Sequence, residues 1–144
     1  MAELFYILYE LSKFDDAREL ASSSFAQVKI AVESGRVKKV NEFIMAHYMD
    51  EIRLEQMADM VNMAPTAFSR FFKLRTGKSL AEYIVDIRLG AAARQLIDTQ
   101  EQVSMIGFQC GFNTLSNFNR LFRKRKGCSP SEFREKYAKT KVIV

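Results

Sequence analysis

The sequence predicts an all-α protein in which one pair of helices occurs twice, and three observations carry that prediction. Apolar residues recur at helical spacing along the chain, with no alternating Val/Ile/Thr run and no Asn-Gly or Asp-Gly hairpin turn. A stretch of sequence repeats after about fifty residues. Positive charge gathers late: residues 1–62 carry 7 basic and 11 acidic groups, a net −4, whereas residues 63–144 carry 15 basic and 6 acidic, a net +9. A basic half of this kind fits a polyanionic partner, nucleic acid ahead of a membrane surface, or a solvated Lys/Arg face.

Length and composition narrow the functional classes. With 144 residues, 48% of them apolar and only two prolines, the chain suits one compact unit or two very small ones. Cys110 and Cys128 cannot build a disulfide framework and lie in no Cys/His spacing typical of zinc. No apolar run approaches the roughly 18 residues that span a bilayer, and the N-terminus lacks the features of a signal peptide. The expectation is a cytoplasmic protein with no membrane partner, no metal and no cofactor. An enzyme is not expected either: there is no phosphate-cradling glycine loop, no nucleophile elbow and no acid/base pair, so no catalytic residue is assigned. His47, the one histidine, is expected as a helix-surface or core residue rather than a catalytic base.

Taken in order, the first segment, Glu3 to Lys13, sets Leu4, Ile7, Leu8 and Leu11 at i, i+3, i+4 and i+7, the stripe of an amphipathic helix. Three short helices are expected next, over Asp15 to Ser22, Phe25 to Ser34 and Arg36 to Tyr48, with Gly35 as the break before the last. On that last helix Val37, Val40, Ile44 and His47 or Tyr48 share a face.

The repeat then begins. Phe68-Ser-Arg-Phe-Phe-Lys-Leu-Arg-Thr-Gly77-Lys-Ser-Leu-Ala-Glu82-Tyr83 realigns as Phe118-Asn-Arg-Leu-Phe-Arg-Lys-Arg-Lys-Gly127-Cys-Ser-Pro-Ser-Glu132-Phe133. Arg70, Phe72, Gly77, Ser79 and Glu82 recur identically at Arg120, Phe122, Gly127, Ser129 and Glu132, an offset of fifty. Upstream the offset is forty-nine, matching Leu54, Met57, Ala58 and Val61 to Val103, Ile106, Gly107 and Cys110, so the length difference falls in the turn between the paired helices.

Each copy has the form of a helix-turn-helix: a short helix with an apolar face, a tight turn, and a second helix that begins polar and ends basic. The helices are expected over Leu54 to Val61 and Pro65 to Thr76, and again over Val103 to Cys110 and Thr114 to Lys126. Ala58 and Gly107 are small where the second helix must come close. Pro65 suits a first helical position, where its missing N–H has no partner to lose, and Asn113 or Thr114 can cap the later helix. Gly77 and Gly127 end the second helices, and a capping box follows each, Ser79 to Glu82 and Ser129 to Glu132. Phe68, Phe71, Phe72, Phe112, Phe118, Leu121, Phe122 and Phe133 alternate with basic residues, but their helical spacing marks them as core.

A helix over Leu80 to Asp98 joins the copies, and its roughly 19 residues span about 28 Å at 1.5 Å per residue. Two helices reading one face of a duplex stand about 34 Å apart, one turn of B-DNA, which a rigid connector of this size can set. The tandem copies, the connector with Tyr83, Arg88, Leu89 and Ala92, the run from Gly111-Phe112 through Ser116, Phe118, Arg120 and Phe122, and the following Gly-x-Ser-Pro-Ser-Glu-Phe-Arg134 resemble the DNA-binding domain of the AraC/XylS family of bacterial transcription regulators. The resemblance covers about residues 36–139. It implies two homeodomain-like helix-turn-helix subdomains that insert recognition helices into successive major grooves of promoter DNA. The organisation it suggests is an N-terminal helical segment over 1–35 and a DNA-binding domain over 36–140, with subdomains at 36–78 and 101–139 and the connector at 79–98.

Carried over by position, the family's base-facing residues fall on Pro65, Thr66, Ser69 and Arg70 in the first recognition helix and on Leu115, Ser116, Asn119 and Arg120 in the second. Arg can fork onto guanine, Asn can pair with adenine, and Thr or Leu can touch a thymine methyl. Lys73, Arg75, Lys78, Arg123, Lys124 and Lys126 are the expected phosphate contacts. Ala64 stands where the family usually caps with Ser, Gly107 where it usually has Ala, and Gly90 weakens the connector by about 1 kcal/mol relative to Ala.

The family also implies a contact with RNA polymerase, most often as an activator. Residues 1–35 resemble the end of its effector and dimerisation region, with too little length for the sensory β-domain that many members carry, so a piece of a longer protein is expected ahead of a short natural member. Leu4, Ile7, Leu8 and Leu11 would then face that domain or a second subunit in a homodimer, or pack on the helices of residues 15–48.

Overall fold

The computed structural model describes the backbone of residues 17–143 and the side chains of residues 24–138. The described residues form seven α-helices and no strand: α1 Ala17–His47, α2 Leu54–Met60, α3 Pro65–Thr76, α4 Leu80–Asp98, α5 Val103–Gln109, α6 Leu115–Lys126 and α7 Pro130–Ile143. The described residues divide into two compact units between Val40 and Asn41. The stripe of Leu4, Ile7, Leu8 and Leu11 lies outside the described residues, as does the first expected helix.

One expectation is corrected. Gly35 does not break the chain; α1 runs through it as a single 31-residue helix in place of the three short ones. A glycine inside a helix costs about 1 kcal/mol relative to alanine, a penalty too small to end a helix by itself. Gly35 also lacks the positive φ of a helix-ending glycine, which Gly77 and Gly127 adopt at 77° and 79°. The remaining expected boundaries hold to within a residue, and Gly90 is absorbed into the connector α4.

Local capping chemistry sets these boundaries. Pro65 is at the first position of α3, Thr114 Oγ1 accepts from Asn117 N at 3.1 Å at the start of α6, and Ser79 and Ser129 accept from Glu82 N and Glu132 N. Ala64 leaves α3 with no side-chain cap.

Within residues 41–144 each copy closes over its own aromatic pair. Phe68 and Phe72 of α3 are buried with Met57 and Ala58 of α2 and Ile84 of α4, and the Phe72 ring meets Tyr83 edge-on at 5.2 Å. In the second copy, Phe118 and Phe122 join Ile106, Cys110 and Phe112 in one cluster with Leu89, Ala92 and Leu96 of the connector. Burial pushes the Cys110 thiol pKa up, with Arg94 pulling weakly the other way, as suits a packed rather than reactive sulfur.

Two arginines close helix ends. Arg134 of α7 donates to Leu96 O in the last turn of α4 and to Thr99 O, just beyond it, at 3.0 and 3.2 Å. Arg88 of α4 donates from Nε to Tyr48 O at 2.6 Å and from Nη2 to Asp50 O at 2.8 Å, just beyond α1. Burial lowers the Arg88 pKa from its usual value, a cost that these two carbonyls offset. Tyr83 adds a third tie, donating its hydroxyl to Asn41 Oδ1.

Candidate nucleic-acid interface

The turns come first, because they aim the second helix of each pair. In the first copy Met63 N donates to Ala58 O at 3.0 Å across the turn, and Asn62 takes φ 57°. In the second, Phe112 N donates to Gly107 O at 3.0 Å and Gly111 takes φ 102°. Asn tolerates the left-handed region through local hydrogen bonding of its short side chain, so the first turn needs no glycine. The second does: a Cβ on Gly111 would lie 2.8 Å from Arg88 Nε and 2.9 Å from Tyr48 O. Gly107 is equally constrained, since its Cβ would meet the Phe118 ring at 2.7 Å. A helix carrying that ring approaches its partner closely only where the side chain is absent.

With Phe68 and Phe72 turned inward, 3.6-residue periodicity turns Thr66, Ser69, Arg70 and Lys73 outward, and all four are exposed. Pro65 and Arg75 are exposed as well. Ser69 is at the edge of this face, lining a depression of about 280 Å³ with Ile52, Leu80 and Ile84. On α6, Phe118 and Phe122 are inward while Leu115, Ser116, Asn119, Arg120, Arg123, Lys124 and Lys126 are exposed. The structure thus gathers the residues expected to touch bases onto two outward helix faces, one per copy.

The cations are less uniform than their sequence positions suggested. Lys78 Nζ pairs with Asp86 Oδ2 on the connector at 2.5 Å. Arg123 reaches Glu132 Oε1 at 3.5 Å, an exposed pair worth little in solvent. Lys73, Lys124 and Lys126 remain on the surface.

Two residues that sequence reasoning passed over enter the site. Asn117 Oδ1 accepts from Arg120 Nη2 at 2.8 Å, holding the guanidinium along the helix face. The i, i+3 spacing of Asn117 and Arg120 was the available signal. Asp86 pairs with Arg125 Nε at 3.3 Å as well as with Lys78, a meeting with no local sequence signal.

Two helix-turn-helix units on one scaffold, each with a polar second helix facing out, define a DNA-binding module. A family model described as a helix-turn-helix domain matches residues 57–136. The chain belongs to the AraC/XylS family of transcriptional regulators and carries that family's DNA-binding domain.

It is 34% identical over 92 residues to the uncharacterised HTH-type transcriptional regulator YobQ of Bacillus subtilis, which covers 64% of this chain and 38% of YobQ. It is 32% identical over 103 residues to the bifunctional transcriptional activator/DNA repair enzyme AdaA of the same organism, covering 72% of this chain and 49% of AdaA. This chain therefore spans between about a third and a half of the length of such relatives. Among solved structures, the C-terminal domain of AraT, a response regulator from Geobacillus stearothermophilus, superposes with a TM-score of 0.66 at 28% identity, covering 70% of this chain and 84% of that one. The DNA-binding domain of AdpA, solved in complex with a target DNA, also gives 0.66, at 25% identity, covering 69% of this chain and 90% of that one.

Proposed function

We propose that this chain regulates transcription by inserting α3 and α6 into successive major grooves of promoter DNA. The observation that carries the reading is the pairing of two outward polar helix faces with a connector of 19 residues, about 28 Å long, close to one turn of B-DNA. In this reading Thr66, Ser69, Arg70, Ser116, Asn119 and Arg120 meet base edges, and Pro65 and Leu115 offer apolar contact near the start of each helix. Arg120 forks onto guanine and Asn119 onto adenine. Lys73, Arg75, Lys124 and Lys126 neutralise phosphates, Arg123 does so by exchanging its carboxylate for a phosphate, and Lys78 faces a phosphate while it stays paired with Asp86.

Activation is the expected sign of regulation, through a contact with RNA polymerase; the AdaA relative and several RhaS and RhaR relatives are named as activators. A homodimer is part of the same reading, through the segment that holds Leu4, Ile7, Leu8 and Leu11. Further along α1, Phe25, Val28 and Val32 are exposed at i, i+3 and i+7, an apolar stripe that suits pairing with a second copy.

Titration of a fluorescent duplex at several salt concentrations tests the core of this proposal. Each neutralised phosphate adds about −0.9 to the slope of log K against log salt, so four to six contacts give a slope of about −4 to −5. A slope near zero would remove DNA as the partner.

A further inference from the structure

Asp86, in the middle of the connector, is where charges from both copies meet. Its Oδ2 takes Lys78, the residue after the glycine that ends α3, and its Oδ1 takes Arg125 in the last turn of α6. One carboxylate oxygen therefore serves each subdomain. The Asp86 side chain is only 24% exposed, so these pairs are screened less than surface pairs. Two residues further along α4, and so on nearly the opposite side of that helix, Arg88 holds the carbonyls beyond α1. The connector is thus tied on two faces, and the Asp86 tie joins the far ends of the two recognition helices.

A carboxylate in this position works against simple affinity. It adds a like charge beside any bound phosphate and engages two cations, Lys78 and Arg125, that would otherwise be free to displace counterions. Its geometric effect has the opposite sign: it resists any rotation of α6 relative to α3 about the connector.

We infer that Asp86 is a positioning residue that sets the angle and separation of the two recognition helices, and with them the spacing between the two DNA subsites that the chain accepts. This inference rests on the two-groove reading above.

The test is enrichment of a random-sequence duplex library by the full chain and by its variants, scored as the distribution of distances between the two enriched subsites. The unmodified chain is expected to select one spacing. Asp86→Asn should retain the same subsite sequences while its preference for that spacing over one base pair more or less falls about fivefold, the effect of one modest, partly screened ion pair. Total binding to unselected duplex should hold or rise.

Arg125→Gln, which cuts only the tie between copies, should broaden the spacing in the same way, and Asp86→Glu should largely preserve it. Broadening with unchanged subsite sequences is not expected from mere loss of stability, and Arg125→Gln keeps the test decisive if Asp86→Asn folds poorly. If the unmodified chain selects one spacing and Asp86→Asn and Arg125→Gln both keep it, the role of Asp86 is overturned while the two-groove reading stands. If the unmodified chain selects no paired subsites, the two-groove reading fails and this inference falls with it.

Discussion

The two helix-turn-helix copies share their interior and differ on their surface. Phe68 and Phe72 in the first repeat as Phe118 and Phe122 in the second, each pair buried under a second helix of 12 residues that ends in a left-handed glycine. Outside, α6 starts from a capping Thr114, holds Arg120 against Asn117 and ends on four consecutive basic residues. Its counterpart α3 starts from Ala64 with no side-chain cap and has Ala67 where Asn117 stands. It also exposes Leu74, 84% accessible, in the place of Lys124. Packing tolerates little change at a buried ring, whereas an exposed position is constrained only by what it touches. The copies have diverged where a partner would be read, which suits a second helix that leads and a first that follows.

The largest expected effect breaks the equivalence of the turns. Gly111→Ala combines a positive φ with two contacts under 3 Å and is expected to cost about 3 kcal/mol of stability in chemical denaturation. Asn62→Gly, at the matching place in the first turn, should change stability by under about 1 kcal/mol. Equal effects would mean that the two turns are under the same constraint.

Next comes the unequal reading of sequence. Asn119→Ala and Arg120→Ala are each expected to weaken binding to a selected site by about 1–3 kcal/mol and to relax base preference in one groove. Thr66→Ala and Ser69→Ala should each cost well under about 1 kcal/mol, because a hydroxyl discriminates poorly between bases. Affinities at fixed salt, with site selection for each variant, decide the matter. Greater relaxation from the Thr66 and Ser69 changes would make α3 the principal reader.

A smaller effect sharpens the role of Asn117. Removing its hydrogen bond frees the Arg120 guanidinium, so Asn117→Ala should weaken binding to the selected site by about 1 kcal/mol, and by almost nothing when Arg120 is already Ala. If Asn117 instead held Arg120 away from the base, the same substitution would strengthen binding.

The smallest concerns Leu74 and Lys124. Lys124→Ala should lower the salt slope by about 1, and Leu74→Lys should raise it by about 1 if the first helix docks as the second does. An unchanged slope for Leu74→Lys would mean that the end of α3 stands away from the duplex.

By itself the amino-acid sequence determined what local chemistry and periodicity determine. Two helix pairs, the proline that opens α3 at Pro65, the caps at Thr114, Ser79 and Ser129, the terminal glycines, and the aromatic core beneath the second helix of each pair were all legible, because each depends on residues within a turn or two of one another. Which residues face outward on α3 and α6 followed from the same period once the buried pairs were known. The expected break at Gly35 failed for a related reason: a lone glycine says little about where a helix ends unless its backbone takes positive φ, and at Gly35 it does not. Tertiary structure alone decided the rest. Asp86 meets Arg125 across 39 residues, and Arg88 meets Tyr48 and Asp50 across about the same span. Gly111 is required partly by that arginine's side chain. Electrostatic and steric demands of this kind arise between segments that only the folded chain brings together, so no periodicity in the sequence carries them.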